Sequence, residues 1–281
     1  MKLQNMERRK DVRPVLDEFW DIYDGKWPVI ITDVVDKWPA INWTKRFFQQ
    51  NYADEKVMVK AVVNRKPAAL AVDMDTFISE LDTSGPNGWT YLEDELFIVT
   101  RPELKKDIGP NVYAEENFFN LFPDEVRHWD CLMLWGSQFS RSSLHMDLYN
   151  WTATNAVLYG QKSWMIRYID IHCYKCCIVW SKVIDGKIYG HSLLQMLYCM
   201  VKSHGCPIDA FVPDSTKYPH FDKAQYLEVT VTAGEMLIIP TGWYHQVKLF
   251  LSLLHKKILR KGKEVTEGVL KDMHQKKVLN S

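Results

Sequence analysis

The sequence has no net charge and no long apolar run, and each absence excludes a class of protein. Its 35 Lys and Arg balance 35 Asp and Glu, so no global field draws the chain to nucleic acid or to an acidic membrane. No run reaches the roughly 18 apolar residues of a transmembrane helix, and residues 1–10 lack the apolar stretch of a secretory signal. Because 47% of the residues are apolar, we expect a folded chain. The lack of a signal and of a membrane span predicts a cytoplasmic or nuclear protein with no membrane partner.

The zero net charge conceals an asymmetry along the chain. Residues 248–281 contain nine Lys and Arg and three acids, which gives this basic tail a formal charge of +6 and leaves −6 on residues 1–247. The spacing of its lysines is typical of a solvated helix face. Nucleic-acid binding by the tail stays open as the weaker alternative, and the acidic body favours a basic peptide over RNA.

Cysteine is scarce outside one segment of the chain. Five of the six cysteines fall between Cys173 and Cys206, whereas a disulfide framework would be spread over the chain, so we expect reduced thiols. Cys173 and Cys176 form a Cys-x-x-Cys pair, which is half of a zinc site. Cys199 and Cys206 are too far apart to supply the second half as a clean pair. An insertion rich in soft residues is therefore the favoured interpretation, and a zinc site is the alternative.

Helical patterns are concentrated in the first third of the chain. Apolar spacing predicts helices at residues 14–23, 44–52 and 74–81. Short strands are predicted at residues 27–32, 57–63, 91–97, 132–135, 154–159, 163–168, 227–232, 235–239 and 243–247. Turns at Gly160–Gln161 and Ala233–Gly234 predict two hairpins. Many short antiparallel strands with flanking helices favour a mainly β sandwich or barrel.

Three residues form the strongest candidate for a metal site. His145 and Asp147 stand two residues apart, so in a strand they point to the same face and aim a nitrogen and an oxygen at one point. His245 follows the Gly234 turn, an apolar strand and a Pro-Thr-Gly loop, and can supply a ligand from another strand. Two histidines and one carboxylate form the facial triad of non-haem Fe(II) oxygenases. The same set also accepts nickel, cobalt or zinc, and ordinary core or surface histidines are the simpler alternative.

Residues 234–247, Gly-Glu-Met-Leu-Ile-Ile-Pro-Thr-Gly-Trp-Tyr-His-Gln-Val, resemble the C-terminal signature of the JmjC (jumonji-C) oxygenases of the cupin superfamily. Further matches lie at residues 27–40, 91–97, 102–108 and 213–224. The resemblance implies a double-stranded β-helix, the jelly-roll or cupin barrel, that contains the facial triad. It also implies Fe(II) as the metal, and 2-oxoglutarate and O2 as cosubstrates that are converted to succinate and CO2.

The resemblance extends to four residues expected at the cosubstrate. Ser142, three before His145, and Tyr91 occupy positions where relatives bind 2-oxoglutarate through a hydroxyl. Asn155 and Lys162 lie 10 and 17 residues after His145, the offsets of the arginine-demethylase/lysyl-hydroxylase branch. A buried dianion needs a cation and neutral donors, which Lys162 and the two hydroxyls would supply. Ordinary core, strand or turn roles are the alternative for each of the four residues.

The matches divide the chain into three parts. We expect residues 1–90 to pack on a JmjC barrel formed by residues 91–247, which contains an atypical insertion at 169–205, and residues 248–281 to form the basic tail. The family has one or two further strands after the position of Val247, so the barrel is expected to be incomplete at its C-terminal edge. The insertion and the tail are either native elaborations of the fold or non-homologous stretches.

The expected function is an Fe(II)- and 2-oxoglutarate-dependent dioxygenase that hydroxylates a protein side chain. The resemblance also allows a histone or protein lysine or arginine demethylase and a tRNA-nucleoside hydroxylase. A catalytically silent JmjC-like binding protein is a further alternative, motivated by the missing C-terminal strands. A metal cupin of isomerase or storage type would share the barrel without the cosubstrate pocket. A protein or peptide is the expected partner, and the sequence does not predict the oligomeric state.

Overall fold

Short helices and many β-strands make up the described part of the chain. The structure is a computed structural model that describes residues 6–10, 16–64, 66–114, 117–123, 125, 127, 131–147, 152–168, 206, 208–218, 221, 226–249 and 255–260. None of the helices in these stretches is long and apolar enough to cross a membrane.

The α-helices of the described residues all precede the strands of the C-terminal half. The α-helices are α1 (Leu16–Ile22), α2 (Lys45–Tyr52), α3 (Met74–Glu80) and α4 (Pro102–Asp107). The strands of the N-terminal half are β1 (Arg8–Lys10), β2 (Val29–Thr32), β3 (Lys56–Val63), β4 (Lys66–Asp73), β5 (Trp89–Asp94) and β6 (Met133–Gly136). Those of the C-terminal half are β7 (Thr152–Val157), β8 (Gln161–Tyr168), β9 (Leu227–Thr232), β10 (Met236–Ile239), β11 (Trp243–Leu249) and β12 (His255–Arg260).

The N-terminal region combines predicted helices with a four-stranded sheet of order β4-β3-β5-β6. Thr44 begins α2 as its N-cap, because its hydroxyl accepts a hydrogen bond from Phe47 N at 3.1 Å. Phe48, completely buried, packs its ring against Trp135 of β6 with 5.3 Å between the ring centroids. The sequence predicts β3 and β5 but no strand at β4, which has no alternation of apolar and polar residues. Through β5, this sheet places Tyr91 in the apolar cluster of the barrel interior.

Two further sheets face one another and form the double-stranded β-helix, so the fold class expected from the sequence is confirmed. One sheet has the order β1-β2-β10-β7-β12, and the other has the order β11-β8-β9. Residues 139–145 extend the second sheet through backbone hydrogen bonds to β11. Alternate residues of each strand point inward and form an apolar interior that includes Ile30, Val157, Trp164 and Trp243.

The chain crosses between the two barrel sheets where the sequence predicts hairpins. β7 pairs with β10 and β12, whereas β8 pairs with β9 and β11, so the hairpins expected around Gly160 and Gly234 are wrong. Both glycines have positive φ, 74° and 89°, which glycine adopts without strain. The two corners also bond to each other, since Ala233 N donates to Gly160 O at 3.0 Å. Turn residues signal a reversal, but they do not specify which sheet the next strand joins.

The basic tail begins with a strand instead of a helix. β12 pairs antiparallel with β7 from His255 opposite Val157 to Arg260 opposite Thr152, and it lies beside β6. The expected helical spacing and the expected lack of a further C-terminal strand are therefore wrong here, because pairing with β7 outweighs a local lysine pattern. The insertion at 169–205, with its cysteine pair, and the last 21 residues lie outside the described residues. The three-part division of the chain stays a prediction.

Gly136 lies where β6 passes closest to Tyr91, and its lack of a side chain makes this contact possible. A Cβ atom added there would lie 2.7 Å from Tyr91 Cδ2 and 3.1 Å from Leu249 Cδ1. We therefore expect Gly136→Ala to lower the free energy of unfolding by about 1–3 kcal/mol through overpacking, as measured by urea denaturation. Gly85→Ala is the control, because an added Cβ meets nothing within 4 Å. Equal losses in the two variants would contradict this packing.

Candidate metal centre

A pair of backbone segments brings the candidate ligands together. His145 N donates to His245 O at 3.0 Å, and His245 N donates to His145 O at 2.7 Å. Residues that exchange both hydrogen bonds in this way stand directly opposite and turn their side chains to the same face. The two imidazole centroids are accordingly 4.4 Å apart. Asp147 follows His145 at the spacing that returns to this face.

The ligand atoms of His145, Asp147 and His245 form one cluster. Each residue offers one atom, and all three atoms lie within 4.8 Å of one another. Asp147 Oδ1 is 3.7 Å from His145 Nε2 and 3.8 Å from His245 Nε2. The side chains of Asp147 and His245 are buried, whereas that of His145 is 23% exposed. One cation can therefore contact all three residues and still be reached from the side of His145.

Hydrogen bonds at the far side of each ring fix the histidine tautomers. His145 Nδ1 lies 2.8 Å from the carbonyl oxygen of Ser143, and His245 Nδ1 lies 3.1 Å from that of Trp243. A carbonyl oxygen only accepts, so each Nδ1 carries the proton and donates it. Each Nε2 therefore keeps its lone pair and points at Asp147. This is the arrangement in which histidine binds metal ions, so the residues present fit a divalent cation.

Lys162 lies in the barrel interior and is completely buried. On β8 it alternates with Trp164 and Ile166, which both belong to the interior cluster. Its Nζ is 5.8 Å from the centroid of the Trp164 ring, and that ring is 5.9 Å from the imidazole of His245. Burial lowers the pKa of Lys162 to about 7, because desolvation disfavours the charged form. Trp164 thus separates an ammonium group from the metal ligands on the same face.

Tyr91 and Asn155 face the interior from two other strands. Burial, with a smaller contribution from the charge of Glu93, raises the pKa of the Tyr91 hydroxyl, so this group stays a neutral donor. Asn155 alternates on β7 with the interior residues Ala153 and Val157. Its Oδ1 atom is buried and accepts no hydrogen bond from any described residue. A buried acceptor of this kind is rare in folded proteins, and it is available to a ligand.

Ser142 is held at the backbone of β11 and not in the middle of the interior. Its hydroxyl oxygen accepts a hydrogen bond from Val247 N at 3.1 Å, which leaves the hydroxyl proton to donate. Its carbonyl oxygen accepts from Gln246 Nε2 at 3.1 Å, and Gln246 Oε1 accepts from Ala210 N at 2.6 Å. Gln246 thus ties three segments together beside the metal ligands.

Sequence reasoning missed Trp164 and Gln246. Trp164 Nε1 is buried and has no hydrogen-bond partner among the described residues, and its ring stands between Lys162 and His245. Its position two residues after Lys162 on a predicted strand was a usable signal, since i and i+2 share a face. The role of Gln246 depends on the loop that contains Ala210, so its own neighbourhood in the sequence gives no such signal.

The cupin-like domain family matches residues 16–261 of the chain. This range contains both barrel sheets from β2 onward and all three candidate metal ligands. It also extends past Val247, where the resemblance recognised in the sequence ends, and it includes β12. The match therefore agrees with the sheet pairing, in which β12 is part of the barrel.

Curated relatives carry names from the JmjC group. The chain is 27% identical over 248 residues to the lysine-specific demethylase JMJ21 of Arabidopsis thaliana. The aligned stretch covers 86% of this chain and 24% of JMJ21. It is 25% identical over 250 residues to the human bifunctional peptidase and (3S)-lysyl hydroxylase JMJD7, and the aligned stretch covers 79% of this chain and 73% of JMJD7. It is 23% identical over 225 residues to the bifunctional arginine demethylase and lysyl-hydroxylase psr-1 of Caenorhabditis elegans, with 78% and 52% covered.

The chain thus spans a quarter to three quarters of the length of these relatives. Their names confirm the resemblance to JmjC proteins, and the family model matches much more than half of the chain. The barrel, its cluster of two histidines and one aspartate, and these matches all agree. The chain therefore belongs to the cupin-like domain family, with JmjC proteins as its relatives.

Proposed function

We propose that this protein is an Fe(II)- and 2-oxoglutarate-dependent dioxygenase that hydroxylates a side chain of a protein substrate. The observation that supports the proposal most is the cluster of His145, Asp147 and His245, in which both Nε2 atoms keep their lone pairs. In the overall reaction, 2-oxoglutarate and O2 become succinate and CO2, and one oxygen atom enters a C–H bond of the substrate. A metal site beside an interior that buries a lysine is the combination this reaction needs.

The chain's own contribution at the metal is geometry. The iron, when bound, supplies the oxygen chemistry. The carbonyl groups of Ser143 and Trp243 hold the two imidazole rings in the orientation that binding requires, so little reorganisation accompanies metal uptake. Because Asp147 and His245 are buried, water reaches the cluster mainly from the side of His145.

Lys162 and Tyr91 are suited to bind the far carboxylate of 2-oxoglutarate. A carboxylate in the dry interior stabilises a buried ammonium through a charge-assisted hydrogen bond. Tyr91 remains protonated because burial raises its pKa, so it can donate to the same carboxylate. These roles account for two of the polar side chains in a mainly apolar interior.

Two buried polar atoms further support a polar ligand in the interior. Asn155 Oδ1 and Trp164 Nε1 are an acceptor and a donor, respectively, and neither has a partner among the described residues. Each such atom costs about 1–3 kcal/mol when it stays unsatisfied. A ligand with hydroxyl, water or carboxylate groups in this space removes that cost.

A protein substrate is supported by the names of the relatives, which specify lysyl hydroxylase and arginine or lysine demethylase. The charge of −6 on residues 1–247 favours a basic side chain of this kind by long-range attraction. Demethylation is the second candidate, because it also starts from oxygen insertion into a C–H bond, here of a methylamine, and JMJ21 bears that name. We also propose action in the cytoplasm or nucleus, because the clustered cysteines are typical of reduced thiols.

We expect Asp147→Ala and His245→Ala to abolish divalent metal binding and 2-oxoglutarate turnover. Each substitution removes one of three ligands, and the remaining two hold a cation much less tightly. Titration with Mn(II) and an assay of succinate formation with Fe(II) and ascorbate measure the two effects. Asp82→Ala is the control, since this carboxylate is 80% exposed and pairs with Lys45. Turnover that survives in the ligand variants would contradict the proposed centre.

The affinity for 2-oxoglutarate should fall as the pH rises above about 7. Lys162 has a pKa of about 7 in the ligand-free protein, and the bound carboxylate favours its charged form, so binding above this pH requires proton uptake. The dissociation constant should rise by up to about tenfold for each pH unit, measured by calorimetry with Mn(II) between pH 7 and 9.

Lys162→Met keeps the bulk of the side chain and should bind weakly with no such pH dependence. Lys248→Met is the matched control, because Lys248 lies on the adjoining strand opposite Ser163 and on the outer face of the barrel. A pH dependence that persists in Lys162→Met would show that another group titrates.

Mass spectrometry on lysine- and arginine-rich peptides, methylated and unmethylated, tests the reaction itself. A gain of one oxygen that requires 2-oxoglutarate is the expected result for a hydroxylase, and loss of a methyl group is the result for a demethylase. Oxygen insertion into tRNA alone would contradict the protein substrate. Metal binding without any binding of 2-oxoglutarate would overturn the dioxygenase in favour of another kind of metal cupin.

A further inference from the structure

A cavity of about 290 Å³ opens between the start of α2, strand β6 and the corner after β7. Four aromatic residues line it: Trp43, Phe48, Trp135 and Tyr159. The first three are buried, whereas Tyr159 is 48% exposed and lies at the rim. The volume is close to the lower end of the range of ligand pockets. None of the residues of the candidate metal centre lines this cavity, so it is separate from that site.

The positive end of α2 borders the same cavity. Thr44, Lys45 and Arg46 complete its lining. Lys45 Nζ donates to both carboxylate oxygens of Asp82, at 2.6 and 2.7 Å, so this charge is already balanced. Arg46 is exposed and forms no ion pair with any described residue. Its guanidinium group is therefore the uncompensated charge at the cavity.

The first turn of α2 also offers backbone donors. Phe47 N donates to Thr44 Oγ1, and Phe48 N donates to Thr44 O. The N–H groups of Lys45 and Arg46 have no acceptor within the helix. Such N–H groups, together with the helix dipole, attract anions. An anionic group at the rim can therefore be bound by the helix end and by Arg46 together.

A buried donor on the cavity wall is a second, independent sign of a ligand. Trp135 is 3% exposed, and its Nε1 atom has no hydrogen-bond partner among the described residues. Its ring packs against Phe48 and Phe77, with 5.3 and 5.7 Å between the ring centroids, so it is held in place. A buried N–H group without an acceptor is rare in folded proteins. A ligand that brings an acceptor atom into this space would satisfy it.

We propose that this cavity binds a small aromatic anion, in which a planar ring carries a carboxylate or phosphate group. The ring lies among Phe48, Trp135 and Tyr159, where contacts between aromatic rings are favourable. The anionic group lies against Arg46 and the first turn of α2. A neutral ring would leave the cation unused, and an inorganic anion would leave the aromatic walls uncovered. The binding uses no residue of the candidate metal centre, so it stands independently of the proposed function.

Calorimetry of the full chain with 1-naphthyl phosphate and 1-naphthoate tests this site. At least one of the two should bind about tenfold more tightly than 1-naphthol, which lacks the charge, and than inorganic phosphate, which lacks the ring. Lys162→Met should bind the same probe equally well, because Lys162 lies in the barrel interior and not at this cavity. Binding of neither probe, equal affinity for 1-naphthol, or loss of binding in Lys162→Met overturns the proposal.

Arg46→Glu separates a role in binding from a role in folding. A carboxylate in the first turn of a helix interacts favourably with the dipole, so thermal unfolding of this variant should occur at the same temperature or higher. Its affinity for the probe should fall by roughly tenfold or more, because a cation at the anion becomes a like charge. Lys66→Glu is the matched control, since Lys66 is exposed on β4 and lies outside the cavity. Unchanged affinity in Arg46→Glu, or an equal loss in Lys66→Glu, contradicts the site.

Discussion

The reciprocal backbone hydrogen bonds between His145 and His245 are the contact on which the rest of the site depends. They join residues that are 100 positions apart in the chain, of which His245 lies in β11 and His145 lies outside the named strands. Once this pair is formed, strand geometry alone puts both imidazoles on one face and Asp147 beside them. The carbonyl groups that hold each Nδ1 proton come from neighbouring backbone positions, Ser143 and Trp243. The ligand cluster is thus a product of backbone pairing, which side-chain packing then supports.

The barrel interior balances two opposing requirements. An apolar lining holds the strands together, and most inward positions are accordingly Ile, Leu, Val or Trp. Lys162 and Asn155 occupy inward positions that an apolar residue would fill at lower cost. The depressed pKa of Lys162 is the direct sign of that cost. Natural sequences retain such conflicts between packing and polarity mainly where a ligand resolves them.

The spacing of apolar and polar residues predicted those elements that depend mainly on neighbouring residues. The three helices, the buried strands and the meeting of His145, Asp147 and His245 follow from spacing and from the family signature. β12 could not be predicted from its own lysines, because its partner β7 lies far away in the sequence. The corners at Gly160 and Gly234 have ordinary turn signals. Which sheet the next strand joins depends on how all the barrel strands are connected, and a turn does not specify this. β4 was missed because its alanines carry no periodicity. Trp164 was missed although its spacing from Lys162 on a predicted strand was a usable signal.

The pairing of β7 has a consequence for how the chain reaches this structure during its synthesis. Asn155 lies opposite Leu237 on one side and Lys257 on the other, about 80 and 100 residues later in the chain. Until the ribosome has released those residues, both edges of β7 lack their final neighbours. Pairings of such long sequence separation form slowly and leave strand edges open to aggregation. The nascent chain therefore stays vulnerable until β10 and β12 have been synthesised, because these two strands supply both neighbours of β7.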